Sequence, residues 1–555
     1  MKIILAQLNY HIGNFESNTS KILDCIRKAK SENADLVVFS ELAISGYPPR
    51  DFLEFDHFIM KCIDSINIIA AECKGIAAII GAPGFNPEPR GKRLYNSAYF
   101  LSEGKVSDVR HKTLLPNYNV FDEYRYFEPN RSFEIIEYKG ERIALTLCED
   151  LWCITEDPLY VEDPMKHLAK QRPDFIINIA ASPFHYGQAE IRKKILTANA
   201  KQYKLPVFYV NHVGAQTELL FDGGSMVVDS SGEIVEEMNY FEEDFGVFEV
   251  EKKQVRSLMQ NSECRIQNSE FRVQNTEIGL IHDALVMGIK NYFQKLNFRQ
   301  AVLGLSGGID SAVTAVLAVR ALGKENVKAV MLPSRFSSGH SIKDAEVLAK
   351  NLGISYEIIN IEDAFHTFEE TLKPVFAGKP FDLTEENIQT RVRAVILMAL
   401  SNKFGYVLLN TSNKSEAAVG YGTLYGDMCG GISILGDVYK TQVYELAKYI
   451  NNDKEVIPHS SITKAPSAEL KPGQKDSDSL PEYEILDKIL FQYIEMANGP
   501  DEIISMGFDE NTVHKVLKMV NTSEWKRYQM PPALRVSPKA FGMGRRMPIA
   551  AKYLI

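Results

Sequence analysis

A chain of 555 residues, 45% hydrophobic and 24% charged, has the composition of an ordinary globular protein and exceeds the roughly 300 residues at which one core stops growing. Two large domains are expected. The formal charge of −10 excludes a general nucleic-acid binder, which gains affinity by neutralising phosphates with Lys and Arg, so an anionic substrate needs local cationic pockets.

No run of about 18 apolar residues suited to a membrane occurs. The opening segment, residues 1–7, reads as a buried strand, since Gln7 and Asn9 interrupt any signal-peptide pattern. Seven cysteines without zinc-like or disulfide-framework spacing point to reduced thiols in a cytoplasmic compartment.

As far as about residue 250, short apolar strands at 35–39, 75–80, 142–147, 174–179 and 206–210 alternate with polar, helix-like stretches. Residues 225–235 read as a hairpin that closes this first domain. Three reactive side chains fall at strand ends or in loops: Glu41, Lys112 and Cys148. A thiolate is a strong nucleophile, but it needs a base to take its proton and a cation to stabilise it. Glu41 and Lys112 supply those roles if the segments converge; taken singly, each residue is equally readable as an ordinary buried or surface group. Cys153 follows Trp152 without strand-end placement and reads as packing.

Together, Phe39-Ser-Glu-Leu-Ala-Ile-Ser-Gly-Tyr47, Lys112-Thr-Leu-Leu-Pro116 and Leu147-Cys-Glu-Asp-Leu-Trp152 resemble the carbon–nitrogen hydrolase (nitrilase) superfamily. The resemblance implies a four-layer αββα sandwich in which Glu41 accepts a proton, Cys148 forms a glutamyl thioester and Lys112 steadies the developing oxyanion. Glu123 matches the superfamily's additional carboxylate; an ion pair with Arg125 or a neighbouring cation is the alternative. Tyr118, Ser182 and Gln188 match glutamine-contact positions, and Gln188 departs from the lysine common there.

Residues 251–277 read as a linker containing a near-repeat of seven residues over 261–277, short of the three or four heptads that mark a coiled coil. Beyond it, an amphipathic helix at 278–298 leads to a strand at 301–305, and strands and helices alternate to about residue 452, the pattern of a parallel α/β sheet. The remainder, to residue 555, is helical and loop-like, with a Pro/Gly/Lys/Asp-rich stretch at 466–478 expected to be mobile.

The sharpest motif of this half is Ser306-Gly307-Gly308-Ile309-Asp310-Ser311, between a buried strand and a helix expected over 312–322. Glycines let backbone N–H groups approach phosphate oxygens, and a helix N-terminus favours negative charge. Asp310 stands where a Walker A loop carries lysine, which suits departing pyrophosphate and an Mg²⁺ ion better than γ-phosphoryl transfer. A second strand at 406–410 ends in Thr411-Ser-Asn-Lys-Ser-Glu416, followed by a glycine-rich run at 420–431.

These segments, with Glu385-Glu-Asn-Ile-Gln-Thr-Arg391 and Lys471-Pro-Gly-Gln-Lys-Asp-Ser-Asp-Ser-Leu480, resemble the N-type ATP pyrophosphatases and, more closely, the NAD synthetases. The resemblance implies a Rossmann-like parallel domain with ATP at Gly304, Leu305, Ser306, Gly307, Gly308, Ile309, Asp310, Ser311 and Thr411. It places Mg²⁺ on Asp310 and Glu416, and deamido-NAD on Asn387, Glu416 and Lys526.

Both halves together resemble glutamine-hydrolysing NAD synthetases over nearly the whole chain except 261–277. That implies ATP-driven amidation of deamido-NAD through an adenylate, with ammonia derived from glutamine; since free ammonia is protonated in water, a closed passage between the sites is the economical expectation. It also implies small-molecule substrates, no nucleic-acid or membrane partner, and a homo-oligomer. A nitrilase-type amidase fused to another adenylating domain is the rival reading; a catalytically silent fusion would need broken motifs, and these are intact.

Overall fold

Val, Ile and Leu runs bounded by Gly, Pro and Asp form strands covered on both faces, so Lys2–Gln7, Leu36–Val38 and Phe175–Ile179 are buried almost throughout. In the computed structural model residues 1–154, 159–258 and 276–553 are described. The chain divides into two units, Met1–Val273 and Gln274–Ile555.

The first unit holds a seven-stranded sheet in the spatial order Gln254–Ser257, Asp244–Glu251, Lys2–Gln7, Leu36–Val38, Ala77–Phe85, Leu94–Ser102, Lys105–His111. A six-stranded sheet runs Ile234–Glu237, Met226–Val228, Val207–Val210, Phe175–Ile179, Glu141–Leu147, Ile136–Tyr138. Ile3, Leu36 and Ile79 of one sheet share a core with Leu145, Ile177 and Phe208 of the other. Helix Asp56–Glu72 packs on Ala77–Phe85. On the six-stranded sheet, Ile195, Leu196 and Ala200 of helix Gln188–Tyr203 cover Ile176, Val207 and Met226. The result is the expected αββα sandwich.

The hairpin at 225–235 forms, with Met226–Val228 antiparallel to Ile234–Glu237, but it does not end the unit. Asp244–Glu251 returns to pair antiparallel with Lys2–Gln7, and Gln254–Ser257 is added at the edge. Parallel pairing of Lys2–Gln7 with Leu36–Val38, and of Glu141–Leu147 with Phe175–Ile179, brings strand carboxyl ends to one edge of each sheet. Residues 259–275, which carry most of the expected linker and its repeat, lie outside the described residues.

The second unit opens with helix Glu277–Lys295, capped by the Thr276 hydroxyl, which accepts the Gly279 N–H at 3.3 Å. Its five-stranded sheet runs Ser355–Ile358, Val327–Met331, Ala301–Gly304, Val407–Asn410, Ile432–Ser433, and every pairing is parallel. The chain first builds outward from Ala301–Gly304 on one side and then crosses to the other. The gap between Ala301–Gly304 and Val407–Asn410 is therefore a topological switch point, where open parallel sheets bind ligands. Helix Ile309–Leu322 begins earlier than its apolar periodicity indicates, because Gly308 takes the extended N-cap conformation.

The stretch at 466–478 is tethered, contrary to the expected mobility. Glu386, almost fully buried, accepts from Lys471 at 3.1 Å and from Gln474 at 3.2 Å, while Gln389 donates to the Leu470 carbonyl at 3.0 Å. Asp476 accepts from Tyr421 at 3.2 Å and Tyr483 at 3.0 Å. A buried carboxylate such as Glu386 has to be hydrogen-bonded, and this segment supplies the donors.

Gly81 sets the seat of the turn that follows Leu36–Val38. A Cβ there would lie 2.3 Å from the Leu42 nitrogen and 2.6 Å from the Glu41 Cα, with no flexible side chain to yield. Gly81→Ala is expected to destabilise the first unit by about 1–3 kcal/mol through overpacking, read as a lower urea midpoint for that unit's transition.

Candidate active sites

The strand Glu141–Leu147 ends at Cys148, whose φ of +41° is left-handed, a conformation costing a non-glycine residue about 1–2 kcal/mol. Such strain persists only where the surroundings over-determine it. Here the Asn178 amide donates to the Cys148 carbonyl at 3.3 Å, and Asp150 accepts the N–H of the preceding Leu147 at 3.1 Å. The Cys148 side chain is buried, and burial first and Glu41 second push its thiol well above the ordinary range, against the pull of Lys112. At rest Cys148 is a thiol in need of a base.

Glu41 and Lys112 are both fully buried, and the Lys112 ammonium bridges Glu41 at 2.7 Å and Glu123 at 2.8 Å. Burial alone would favour neutral Lys112; Glu123 and Glu41 more than reverse this and hold its pKa well above normal. Glu41 also accepts from the Asn96 amide at 2.7 Å and from the Ala181 N–H at 2.9 Å. Glu123 accepts from the Tyr47 hydroxyl at 2.9 Å, and burial and then Glu41 raise its pKa while Lys112 opposes them. The ion pair of Glu123 is thus with Lys112. Arg125 instead faces Asp51 and Glu54 on the exposed side, at 3.7 and 3.9 Å. A proton passing from Cys148 to Glu41 leaves the net charge of this dry cluster unchanged, the condition under which a thiolate forms there most readily.

The next two residues were not singled out from the sequence, although Cys-Glu-Asp was visible as a run. Glu149 is buried and accepts from the hydroxyls of Tyr118 at 2.7 Å and Tyr160 at 3.1 Å. Asp150 accepts the N–H groups of Thr113 at 3.0 Å and Leu114 at 2.9 Å in addition to Leu147. Burial pushes the Asp150 carboxyl up to about 7 while those donors hold it down. Asn96 was also missed, since a lone Asn inside a strand carries no sequence signal.

Tyr118 is partly exposed and tied to Glu149. Ser182 follows the strand Phe175–Ile179, is anchored by its N–H to Asn211 at 2.8 Å, and accepts from the Gln188 amide at 3.3 Å. Gln188 opens helix Gln188–Tyr203 and so reaches the expected neighbourhood despite replacing lysine. Cys153 lies apart, half-buried, donating to the Glu162 carbonyl at 3.0 Å.

In the second unit a cavity of about 610 Å³ opens at the switch point, lined by Gly304, Leu305, Ser306, Gly308, Ile309, Asp310, Ser311, Asn387, Thr411, Glu416 and Lys526. Gly307 is the exception among the expected residues. At φ +81° it turns its backbone against Ser341, whose carbonyl oxygen a Cβ would meet at 2.1 Å, and its own carbonyl accepts from Ser461 at 3.0 Å. The loop is pre-shaped: Ser306 Oγ lies 3.1 Å from Ser311 Oγ and accepts the Gly308 N–H at 3.2 Å.

Asp310 accepts from Lys440 at 2.5 Å and from the Asn413 amide at 2.8 Å, and Lys440 lies 3.7 Å from Glu416. Burial, then the like charge of Asp310, raise Glu416 to about 8, with Lys440 opposing. Asn387 accepts from Thr423 at 2.7 Å, and Lys526 donates to the carbonyls of Gly420 and Gly422 at 2.9 and 3.0 Å. Burial lowers the pKa of Lys526. Lys440, Lys464 and Arg393 add cationic lining that the sequence did not reveal, because they stand far from the loop motif in the chain. Below the cavity, Lys414 is fully buried between Asp437 at 2.9 Å and Glu495 at 2.8 Å, and Asp437 accepts the N–H groups of Val536 and Ser537 at 2.8 and 2.7 Å.

Comparison with known proteins gives both units a family. The carbon–nitrogen hydrolase family matches residues 2–260 and the NAD synthase family residues 281–531. The glutamine-dependent NAD(+) synthetase of Synechocystis sp. is 43% identical over 99% of each chain. That of Thermotoga maritima is 41% identical, covering 100% of this chain and 99% of its own. The solved glutamine-dependent NAD+ synthetase of Acinetobacter baumannii, in complex with ADP, superposes with a TM-score of 0.77 at 39% identity, over 99% of this chain and 98% of its own. Similarity of this extent, over nearly the whole length of both chains, places the chain in the glutamine-dependent NAD(+) synthetase family.

Proposed function

We propose that this chain converts deamido-NAD to NAD, using ATP to activate the nicotinate carboxylate and glutamine as the source of ammonia. The observation that supports this best is the pairing, in one chain, of Cys148 against the Glu41–Lys112–Glu123 cluster with the Asp310–Lys440–Glu416 cavity. One site can release ammonia from an amide and the other can hold a nucleotide's phosphates.

In the first unit Glu41 takes the Cys148 proton as sulfur attacks the glutamine amide carbon, and Lys112 stabilises the oxyanion that develops. The C–N bond breaks, ammonia leaves with the proton, and a glutamyl thioester remains. Glu41 then draws a proton from water, which releases glutamate. Glu123 keeps Lys112 charged, with Tyr47 and Asn96 holding both carboxylates in place. Tyr118, Ser182 and Gln188 bind the glutamine.

In the second unit the Gly304–Ser311 segment and Thr411 cradle ATP, and Asn387, Glu416 and Lys526 bind deamido-NAD. The nicotinate carboxylate attacks the α-phosphorus, pyrophosphate departs, and ammonia displaces AMP from the mixed anhydride. Lys440, Lys464 and Arg393 neutralise charge on the phosphates. Asp310 and Glu416 suit Mg²⁺: both are oxygen donors lining the cavity, and the like charge that raises Glu416 is relieved by a further cation. Mg²⁺ typically takes one or two carboxylates and completes its shell with water and phosphate oxygens, so the lack of a larger ligand cluster among the described residues fits it. Bound there, the ion would neutralise charge on the leaving pyrophosphate.

A cytoplasmic location is supported by six unpaired cysteines among the described residues. No described helix is long and apolar enough to cross a membrane. A homo-oligomer is supported by apolar side chains left exposed on the helices Glu362–Phe376 and Leu383–Phe404, among them Val375, Leu383 and Val395.

Cys148→Ala is expected to abolish NAD formation from glutamine and to leave formation from ammonium salts near the parental rate. Equal loss with both nitrogen sources in folded protein defeats the division of labour. Asp310→Asn is expected to reduce pyrophosphate release by roughly 100-fold or more with either nitrogen source. Since burial and Glu41 hold the Cys148 thiol up, its alkylation by iodoacetamide is expected to rise through pH 9 without levelling. A plateau with a midpoint below the ordinary thiol value of about 8.5 contradicts the resting thiol.

A further inference from the structure

In that reading Lys112 and Cys148 serve the same carbonyl group of the substrate, one at its oxygen and the other at its carbon, but they are carried by different sheets. Lys112 follows the edge strand Lys105–His111 of the seven-stranded sheet, and Cys148 follows Glu141–Leu147 of the six-stranded one. The apolar core between the sheets is non-directional and does not by itself fix their offset to the fraction of an ångström that attack geometry needs. A directional link is required.

Asp150 joins these two segments directly, beside the Ala181 N–H that reaches Glu41 across the same sheets. Its Oδ1 accepts the N–H groups of Thr113 and Leu114, the two residues after Lys112, at 3.0 and 2.9 Å. Its Oδ2 accepts the N–H of Leu147, the residue before Cys148, at 3.1 Å. The residue is 3% exposed, so these bonds form in a buried setting where they are strong and costly to leave unmade. The backbone of Lys112 itself is held by its N–H, which donates to the Asn96 carbonyl at 2.8 Å, and by its carbonyl, which accepts from the Asn130 N–H at 3.0 Å. Cys148 is left-handed at φ +41°, and the Leu147 bond together with Asn178 grips both of its flanks.

We propose that Asp150 is a positioning residue for the glutaminase reaction, joining the Lys112 segment to the Cys148 segment and thereby fixing the ammonium against the sulfur. It rests on the function proposed above and adds a residue that acts through the backbone of two others. A neutral amide cannot replace it: whichever way Asn is turned, its NH₂ faces either the Leu147 N–H or the Thr113 and Leu114 pair, donor against donor.

The test is Asp150→Asn in the full chain. The kcat for glutamine-driven NAD formation is expected to fall roughly 10- to 100-fold, the cost of a misplacement of about 1 Å, with KM for glutamine within about threefold of parental. Ammonium-driven formation is expected to stay at the parental rate, and alkylation of Cys148, mapped by peptide mass spectrometry, to slow. A parental kcat with glutamine overturns the proposal, and so does an equal loss with ammonium, which marks a purely structural role. If D150N is recovered only as aggregate, Asp150→Glu decides in the same way: a reduced glutamine kcat with an intact ammonium rate supports the link, and a parental kcat overturns it. Because alkylation needs no turnover, its outcome is separate from whether glutamine is the nitrogen donor.

Discussion

The first unit is organised around one buried ammonium. Lys112 is buried away from bulk solvent, and it remains charged because Glu41 and Glu123 close on it at hydrogen-bond distance. Removing one partner from such a buried group strands uncompensated charge, at a cost of about 3–5 kcal/mol. The surrounding structure answers to that constraint: Asn96 bridges both carboxylates, Tyr47 fixes Glu123, Ala181 fixes Glu41, and Gly81 lets the Glu41 turn lie flat on its neighbouring strand. Reactivity follows from the same constraint, since a cluster with a fixed charge can pass a proton internally without importing an ion.

The second unit solves a related problem with the opposite openness. Asp310 and Glu416 line a broad cavity and share Lys440, so charge is balanced among side chains that a nucleotide can still reach. The glycine loop supplies backbone donors and the switch point supplies the crevice. The buried Lys414 network ties helix Lys414–Val419, and with it Glu416, to the distant segment holding Val536 and Ser537.

Legibility followed chain-locality. Strand positions, the parallel character of the second sheet and the loop at Ser306 rest on runs of a few residues, and these were readable. So was Cys148 at a strand end, and family resemblance joined it to Glu41, Lys112 and Glu123. Partners arriving from far along the chain were not: Asn96 against Glu41, Lys440 against Asp310, and Asp150 against Thr113 depend on tertiary placement that no local pattern encodes. The 466–478 stretch misled for the same reason, because its polar composition matches a loose loop until the buried Glu386 it serves is seen. For Glu123 the expected ion pair, to Arg125 or a neighbouring cation, is resolved by nearness in space to Lys112.

The latch between Asp437 and residues 536–537 bears on how the enzyme comes into being at the ribosome. Every described strand of the thiol-bearing sandwich precedes residue 259, so that half can fold while translation continues, as N-terminal domains commonly do. The synthetase half closes later, because its Glu416 helix gains the bonds from Lys414 to Ser537 and to the Lys539 carbonyl only when those residues emerge. On a growing chain the Cys148–Glu41–Lys112 cluster is therefore assembled before the nucleotide-sized cavity of the second unit has all of its walls.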